Sequence, residues 1–281
     1  MGATFGPSGN SERFYQEKHK KTLEAFAWLK NMGLDAFEYP AGNGITASLS
    51  TFAALGEEAK KQGIRTSFHT PYFISLSSVE EEKRLKSIEY IKKSEEAARA
   101  FGADILVIHT GSASKISREE AVSLVKDTMY KTLEALPDAK VRFGLETMGK
   151  INQLGTLDEV IDICKIDPRL CPVVDFGHMN ARERGGLFPT ADEYRKVFDK
   201  IGTTLGAEYA DTLHCHFSKI EFTAAGEKRH LTFEDSTYGP DFEPLMEAIY
   251  REGLSPRIIC ESNGTQADDA LAMKQYYLSL T

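Results

Sequence analysis

Short apolar runs recur eight times along the chain, and longer stretches with the three-to-four-residue spacing of amphipathic helices lie between them. The runs are ATFG (3–6), AFEY (36–39), RTSFH (65–69), ILVIH (105–109), VRFGLE (141–146), CPVVD (171–175), TLHCH (212–216) and RIICE (257–261). Their length and their β-branched and aromatic content predict strands. Helical spacing covers 12–33, 81–102, 117–136, 190–206 and 242–253. The second of these closes on Gly102, as a C-cap would. The third opens with Ser117 and Glu120 in the spacing of a capping box. Alternating strands and helices predict a parallel sheet with helical crossovers. Eight repeats favour closure over an open sheet. The expected fold is therefore α/β, a single (β/α)8 TIM barrel over residues 1–281.

The run CPVVDFGHMNA (171–181) leaves the core through Asp175 and His178. One such strand end means little, because an aspartate after a strand is more often a helix cap. The pattern repeats, however. The strands end in His69, His109, Glu146, Asp175, His214 with His216, and Glu261. A parallel barrel brings all these ends to one face, where its active sites sit. Imidazoles and carboxylates together are the donor set of zinc, with manganese or iron as alternatives. Six positions exceed one tetrahedral ion, so two or more are expected. His214 and His216 alternate on one strand, so both can point inward, while Cys215 and Cys260 point to the helices. His230 lies in the segment after the seventh strand. His19, in a charged helix, reads as solvated surface.

Composition changes this picture little. The 281 residues are 41% hydrophobic and 27% charged, ordinary for a globular protein. A net charge of −8 counts against a broadly basic nucleic-acid binder, though not against a local basic rim. No run is long enough to span a bilayer, and neither a signal peptide nor a disulfide framework is suggested, so a cytoplasmic protein with no membrane contact is expected. No obligate protein partner is inferred. P-loop, nucleophile-elbow and dinucleotide-binding signatures are absent.

With these residues assembled, the chain resembles the endonuclease IV family (AP endonuclease family 2), metal-dependent apurinic/apyrimidinic endonucleases. That family lies within the xylose isomerase-like TIM barrel superfamily, which also holds sugar isomerases and epimerases. FHTPYFISL is similar to its His-x-x-Tyr-x-Ile-x-Leu segment, and VIHTGS to its His-Pro-Gly-Ser turn, with Thr110 for proline. LETMGKINQLG resembles its Leu-Glu-Asn-Thr-Ala-Gly block, VVDFGHMNA its Asp-Thr-x-His block and ESNG its Glu-Thr-Pro. The resemblance implies three zinc ions. His69, His109 and Glu146 would hold the first. Glu146, Asp175, His214 and Glu261 would hold the second, with His216 as an extra donor. His178 and His230 would hold the third. It also implies an abasic-site DNA substrate, cleavage of a phosphodiester, and Glu261 orienting the attacking water or acting as its base.

Two departures stand out. The family's third-site Asp-Arg-His reads Lys228-Arg229-His230 here, so the expectation is that Glu227 or His216 substitutes as donor or that the third ion is weakly held. The arginine-bearing segment after the second strand reads YPAGNGI. Tyr72, Arg182 and Arg229 are the expected substrate contacts, with Arg184 and Lys219 as further candidates for phosphate. A sugar isomerase or epimerase with one divalent ion is the alternative reading.

Overall fold

The computed structural model describes residues 2–113 and 115–280. Its strands are β1 (Thr4–Pro7), β2 (Ala36–Pro40), β3 (Arg65–His69), β4 (Ile105–His109), β5 (Arg142–Glu146), β6 (Leu170–Asp175), β7 (His214–Phe217), β8 (Ile220–Thr223), β9 (Gly226–His230) and β10 (Arg257–Cys260). Its helices are α1 (Glu12–Gln16), α2 (Thr22–Met32), α3 (Leu49–Gln62), α4 (Glu81–Phe101), α5 (Arg118–Ala135), α6 (Leu157–Cys164), α7 (Phe176–Arg182), α8 (Ala191–Leu205), α9 (Ala207–Asp211), α10 (Glu243–Glu252) and α11 (Gln266–Ser279). Eight strands form one parallel sheet in the order β1-β10-β7-β6-β5-β4-β3-β2, and β8 and β9 form a separate antiparallel hairpin. The sheet curls into the expected barrel. Its seam is closed by Asp35 N donating to Phe5 O (2.9 Å), Gly9 N donating to Glu38 O (2.9 Å), and a parallel bridge between Ser8 and Glu38. Gly6 permits this approach, since a Cβ there would lie 1.8 Å from the carbonyl oxygen of Ala36.

Alternation along the strands separates two interiors. Leu106, Ile108, Val174, Cys215, Phe217 and Cys260 join the main apolar core between sheet and helices. Ile105, Val107, Cys171 and Val173 form a small second cluster on the opposite faces of their strands. The barrel lumen is otherwise unusually polar. Glu38, Ser67, Glu146, Asp175, His214, His216 and Arg257 are all at most 2% exposed.

Several local expectations need correction. The predicted helix over 12–33 is two helices, because Lys18 adopts a left-handed φ of 69° and breaks the run. The helix α3, which the sequence reading passed over, fills the β2–β3 crossover, capped by Ser48 accepting from Thr51 N. His230 ends a strand of the β8–β9 hairpin rather than sitting in an irregular loop. No helix among the described residues is long and apolar enough to cross a membrane.

Candidate metal centre

Glu146 sits at the end of β5, fully buried, and its two oxygens face different neighbours. Its Oε2 lies 3.3 Å from His69 Nε2 and 3.2 Å from His109 Nε2. Its Oε1 lies 3.0 Å from His216 Nδ1 and 3.5 Å from His178 Nδ1. Strand register produces this. His109 is the partner of Glu146 across β4–β5, and Asp175 is the partner of His216 across β6–β7. Glu261 follows β10 directly, with its carboxylate 3.7 Å from His216 Nδ1.

Two donor groups therefore share Glu146: His69 with His109, and Asp175 with His216 and Glu261. A third group, His178, Glu227 and His230, stands beside them on α7 and the hairpin. His178 Nε2 is 3.5 Å from Glu227 Oε2. Glu227 supplies the carboxylate that the neighbouring Lys228 cannot, and Lys228 turns away to pair with Glu221 (2.6 Å). Gly149 leaves room for the hairpin, because a Cβ there would lie 2.6 Å from Glu227 Cβ.

The donor set suits divalent ions on three counts. Asp175 Oδ2 is buried with no hydrogen-bond partner, while its Oδ1 accepts from His178 N (2.7 Å). Three imidazoles have Nδ1 engaged elsewhere: His69 at Thr70 O (2.8 Å), His178 at Thr147 O (3.0 Å) and His230 at Ser218 Oγ (2.8 Å). That arrangement leaves Nε2 of each for an ion, the usual anchoring of a ligand histidine. Charge is the third count. Burial lowers the basicity of His69, yet Glu146, Glu38 and Glu261 outweigh it and push the imidazole up to about 9. Burial likewise opposes His178, and Asp175, Glu227, Glu146 and Glu261 push it up to about 9. Asp175 is raised chiefly by burial, against the field of His178. Such a basin stabilises positive charge, whether from protons or from metal.

Not every expected donor belongs here. His214 was expected beside Asp175 and Glu261, but His216 occupies that place. Both side chains point into the lumen, and the register puts His216 level with Asp175 and His214 two residues deeper, level with Val173. His214 Nε2 instead lies 2.9 Å from Glu38 Oε2, and His216 Nε2 lies 3.0 Å from Glu38 Oε1. Burial is the main influence on His214, taking it down to about 4, so that ring is neutral. Glu38 went unnoticed in the sequence, although an acid in the middle of the apolar run AFEY was a visible signal.

The expected substrate contacts also divide. Arg182 is not available to a phosphate: its guanidinium donates to the carbonyls of Met148, Lys150, Ile151 and Gln153 at 2.7–3.2 Å. It ties α7 to the segment after β5. Lys219 is similarly engaged, donating to Asp235 O (2.7 Å). Arg229 pairs with Glu221 (2.6 Å) but remains exposed on the rim of a groove of about 540 Å³ that adjoins Glu261 and His230. Tyr72 is exposed, donates to Asn43 Oδ1 (2.9 Å), and lines a pocket of about 490 Å³ over the donor groups, together with Lys150 and Gln153.

An eight-stranded parallel barrel whose strand ends converge imidazoles and carboxylates on one pocket defines an enzyme-type barrel whose mouth carries donor groups that could hold metal ions. The chain belongs to the xylose isomerase-like TIM barrel family, whose model matches residues 26–276. It is 31% identical over 250 residues to an uncharacterized protein of Methanocaldococcus jannaschii, covering 88% of this chain and 89% of that one. It is 29% identical over 197 residues to a probable endonuclease 4 of Acholeplasma laidlawii, covering 68% of this chain and 65% of that protein. Among solved structures, a D-tagatose 3-epimerase-like protein superposes with a TM-score of 0.73 at 19% identity, covering 99% of this chain and 97% of that one. Relatives of both the endonuclease and the epimerase kind thus surround one barrel, so fold alone does not choose between them.

Proposed function

We propose that this protein is a metal-dependent phosphodiesterase of the endonuclease IV type, a zinc-dependent hydrolase that incises DNA at abasic sites in cytoplasmic base-excision repair. The observation that carries the reading is the division of Glu146 between two donor groups, with a third group alongside. Several adjacent cation positions suit a phosphodiester, whose charge rises as it is displaced, better than a neutral sugar. His69, His109 and Glu146 would hold one ion, Glu146, Asp175, His216 and Glu261 a second, and His178, Glu227 and His230 a third. Zinc or a similar ion, when bound, would polarise a phosphoryl oxygen and make a water more acidic.

The chain's own residues account for the rest. The side chain of Glu261 is 17% exposed, the most open carboxylate of the Glu146 groups, and it faces the pocket. It is placed to orient a water or take its proton. Tyr72 presents an aromatic face at the mouth for an unstacked base or sugar, and Arg229 offers a charge to the backbone further out. The alternative reading, a sugar isomerase or epimerase, is favoured by one observation: Glu146, Asp175, His216 and Glu261 form a complete four-donor site by themselves.

The test is incubation of the zinc- or manganese-loaded protein with duplex DNA bearing one abasic site, at low and moderate salt. Metal-dependent incision that weakens steeply with salt is expected, because phosphate contacts release counterions. Turnover of a ketose or aldose with no incision at any salt would replace this reading with the isomerase.

A further inference from the structure

Below the donor groups of the mouth, Glu38 is fully buried in the barrel lumen. Its backbone is fixed on both sides, by the seam bridge to Ser8 and by pairing with Ser67 of β3. The donor atoms of Glu38, His214 and His216 lie within 4.8 Å of one another. Each carboxylate oxygen has its own imidazole: Oε2 lies 2.9 Å from His214 Nε2, and Oε1 lies 3.0 Å from His216 Nε2. The two contacts differ in kind. The first is a hydrogen bond. The second is not: Glu38 Oε1 and His216 Nε2 are both buried without a hydrogen-bond partner, although only 3.0 Å separates them.

The His216 ring makes its hydrogen bond through Nδ1, to Glu146 Oε1 at 3.0 Å. An ionised carboxylate only accepts, so Nδ1 carries the proton and a neutral ring keeps its lone pair on Nε2. Two electron-rich atoms then stand 3.0 Å apart in a dry interior, which costs free energy unless a cation touches both. A second proton on the ring does not mend the contact, because an Nε2–H would aim to the side of Oε1. Two ligands of one ion have that relation. The axis of the nitrogen aims at the ion and passes beside the oxygen. Donors 2.0–2.2 Å from a zinc ion stand about 3.0–3.5 Å from one another.

We propose that Glu38, His214 and His216 form a cation site of their own in the barrel lumen, taking a divalent ion of the zinc kind through the carboxylate and the two Nε2 atoms. Two imidazoles and a carboxylate favour such an ion over magnesium or calcium. With both oxygens of Glu38 the set reaches four protein donors, all buried, which is the closed arrangement of a structural ion. To ligate through Nε2, His214 moves its ring proton to Nδ1. That atom has no hydrogen-bond partner, so no existing bond opposes the change. Arg257, the register partner of His214, sends its terminal nitrogens elsewhere, to Asp104 (2.5 Å) and Thr66 O (3.1 Å). The site does not require ions at the mouth. Where a mouth ion also binds His216 through Nδ1, the ring gives its Nδ1 proton to water and bridges the two ions.

The experiment uses the full chain, labelled with 15N-histidine and produced and dialysed with zinc. Elemental analysis reads ions per chain, and imidazole nitrogen shifts read which nitrogen bears metal and which bears hydrogen. His214 is the informative ring, because among the described residues it belongs to this donor group alone. In the zinc-saturated chain its Nε2 should carry metal and its Nδ1 hydrogen. His214→Phe should hold about one ion per chain fewer. Glu146→Gln, which acts on the mouth, should keep the ion at His214.

An unchanged ion count in His214→Phe would overturn the proposal. If that variant does not fold, the spectrum of the unmodified chain carries the test by itself: hydrogen still on His214 Nε2 at zinc saturation is equally damaging. The two metal readings fail separately. Ions lost from Glu146→Gln but not from His214→Phe leave the mouth as a metal centre and sink the lumen site. An ion lost from His214→Phe, in a chain that Glu146→Gln leaves fully loaded, supports the lumen site and sinks the mouth.

Discussion

The donor groups that share Glu146 and the group of His178, Glu227 and His230 use the same chemistry on different supports. The first are carried by barrel strands or, for Glu261, by the residue directly after one, and each of those strands is paired on both sides within the sheet. The second hangs on a short helix and a two-stranded hairpin outside the sheet, and Glu227 and His230 are only half-buried. Strand register places a side chain to within a fraction of a residue spacing, whereas a hairpin depends on whatever it packs against. Here that packing is Gly149 under Glu227, Ile151 N donating to Ala225 O (3.0 Å), and the Arg182 clamp on the segment between. The strand-held groups are thus positioned by the barrel itself, whereas the hairpin-held group depends on packing outside it.

Glu146→Gln should have the largest effect. It removes a negative charge from two donor groups at once, so zinc affinity should fall by more than the roughly 100-fold that follows loss of an outer partner. Elemental analysis after dialysis would show fewer ions per chain, and full retention would contradict the shared-carboxylate geometry. Glu227→Gln should act on one group only. About one ion per chain should be lost or bound roughly 10–100-fold more weakly, with the strand-held ions retained, if hairpin and strands are separable. Loss of all ions from this variant would erase the contrast.

Arg182→Met attacks the support instead of the donors. Stranding the carbonyls of Met148, Lys150, Ile151 and Gln153 should cost about 2 kcal/mol of stability, seen as a lower melting temperature. The hairpin-held ion should weaken more than the strand-held ones, and equal weakening would argue that Arg182 merely stabilises the whole barrel. Arg229→Ala should leave ion content alone while raising KM for abasic DNA and reducing the salt dependence by about one phosphate contact. Lys228→Asp is expected to do least. The side chain points to Glu221, so restoring the aspartate of the related family's motif should add no ligand and leave ion affinity unchanged. A clear gain would show that the hairpin can rotate to present it.

Strand ends were legible in the chain because β periodicity and barrel closure are general. Once six of the eight runs ended in His, Asp or Glu, convergence followed from the architecture without any coordinates. The choice between His214 and His216 was not legible, because two residues two apart on a strand point the same way and differ only in depth. Depth is set by register against β6, and register depends on packing across the sheet. The resemblance implied His214, whereas His216 is the ring that lies beside Glu146, Asp175 and Glu261. Arg182 looked like a free cation because nothing local to α7 announces the four carbonyls, which come from a segment about thirty residues earlier. The hairpin was missed because its strands carry no clean alternation, and Gly226 with its left-handed φ of 88° was the one turn signal between them.

By itself the chain determined the alternation of strands and helices, the closed parallel barrel and the kinds of donor gathered at its mouth, because these follow from local periodicity and from which residue types end each strand. Only the tertiary structure decided that Glu38 reaches across the lumen to His214 and His216, that Glu227 rather than Lys228 faces His178, and that Glu146 divides its oxygens between two groups. Those are contacts between residues tens to well over a hundred positions apart, and their existence depends on strand register, side-chain depth and the seating of one hairpin, none of which is a property of any single stretch of sequence.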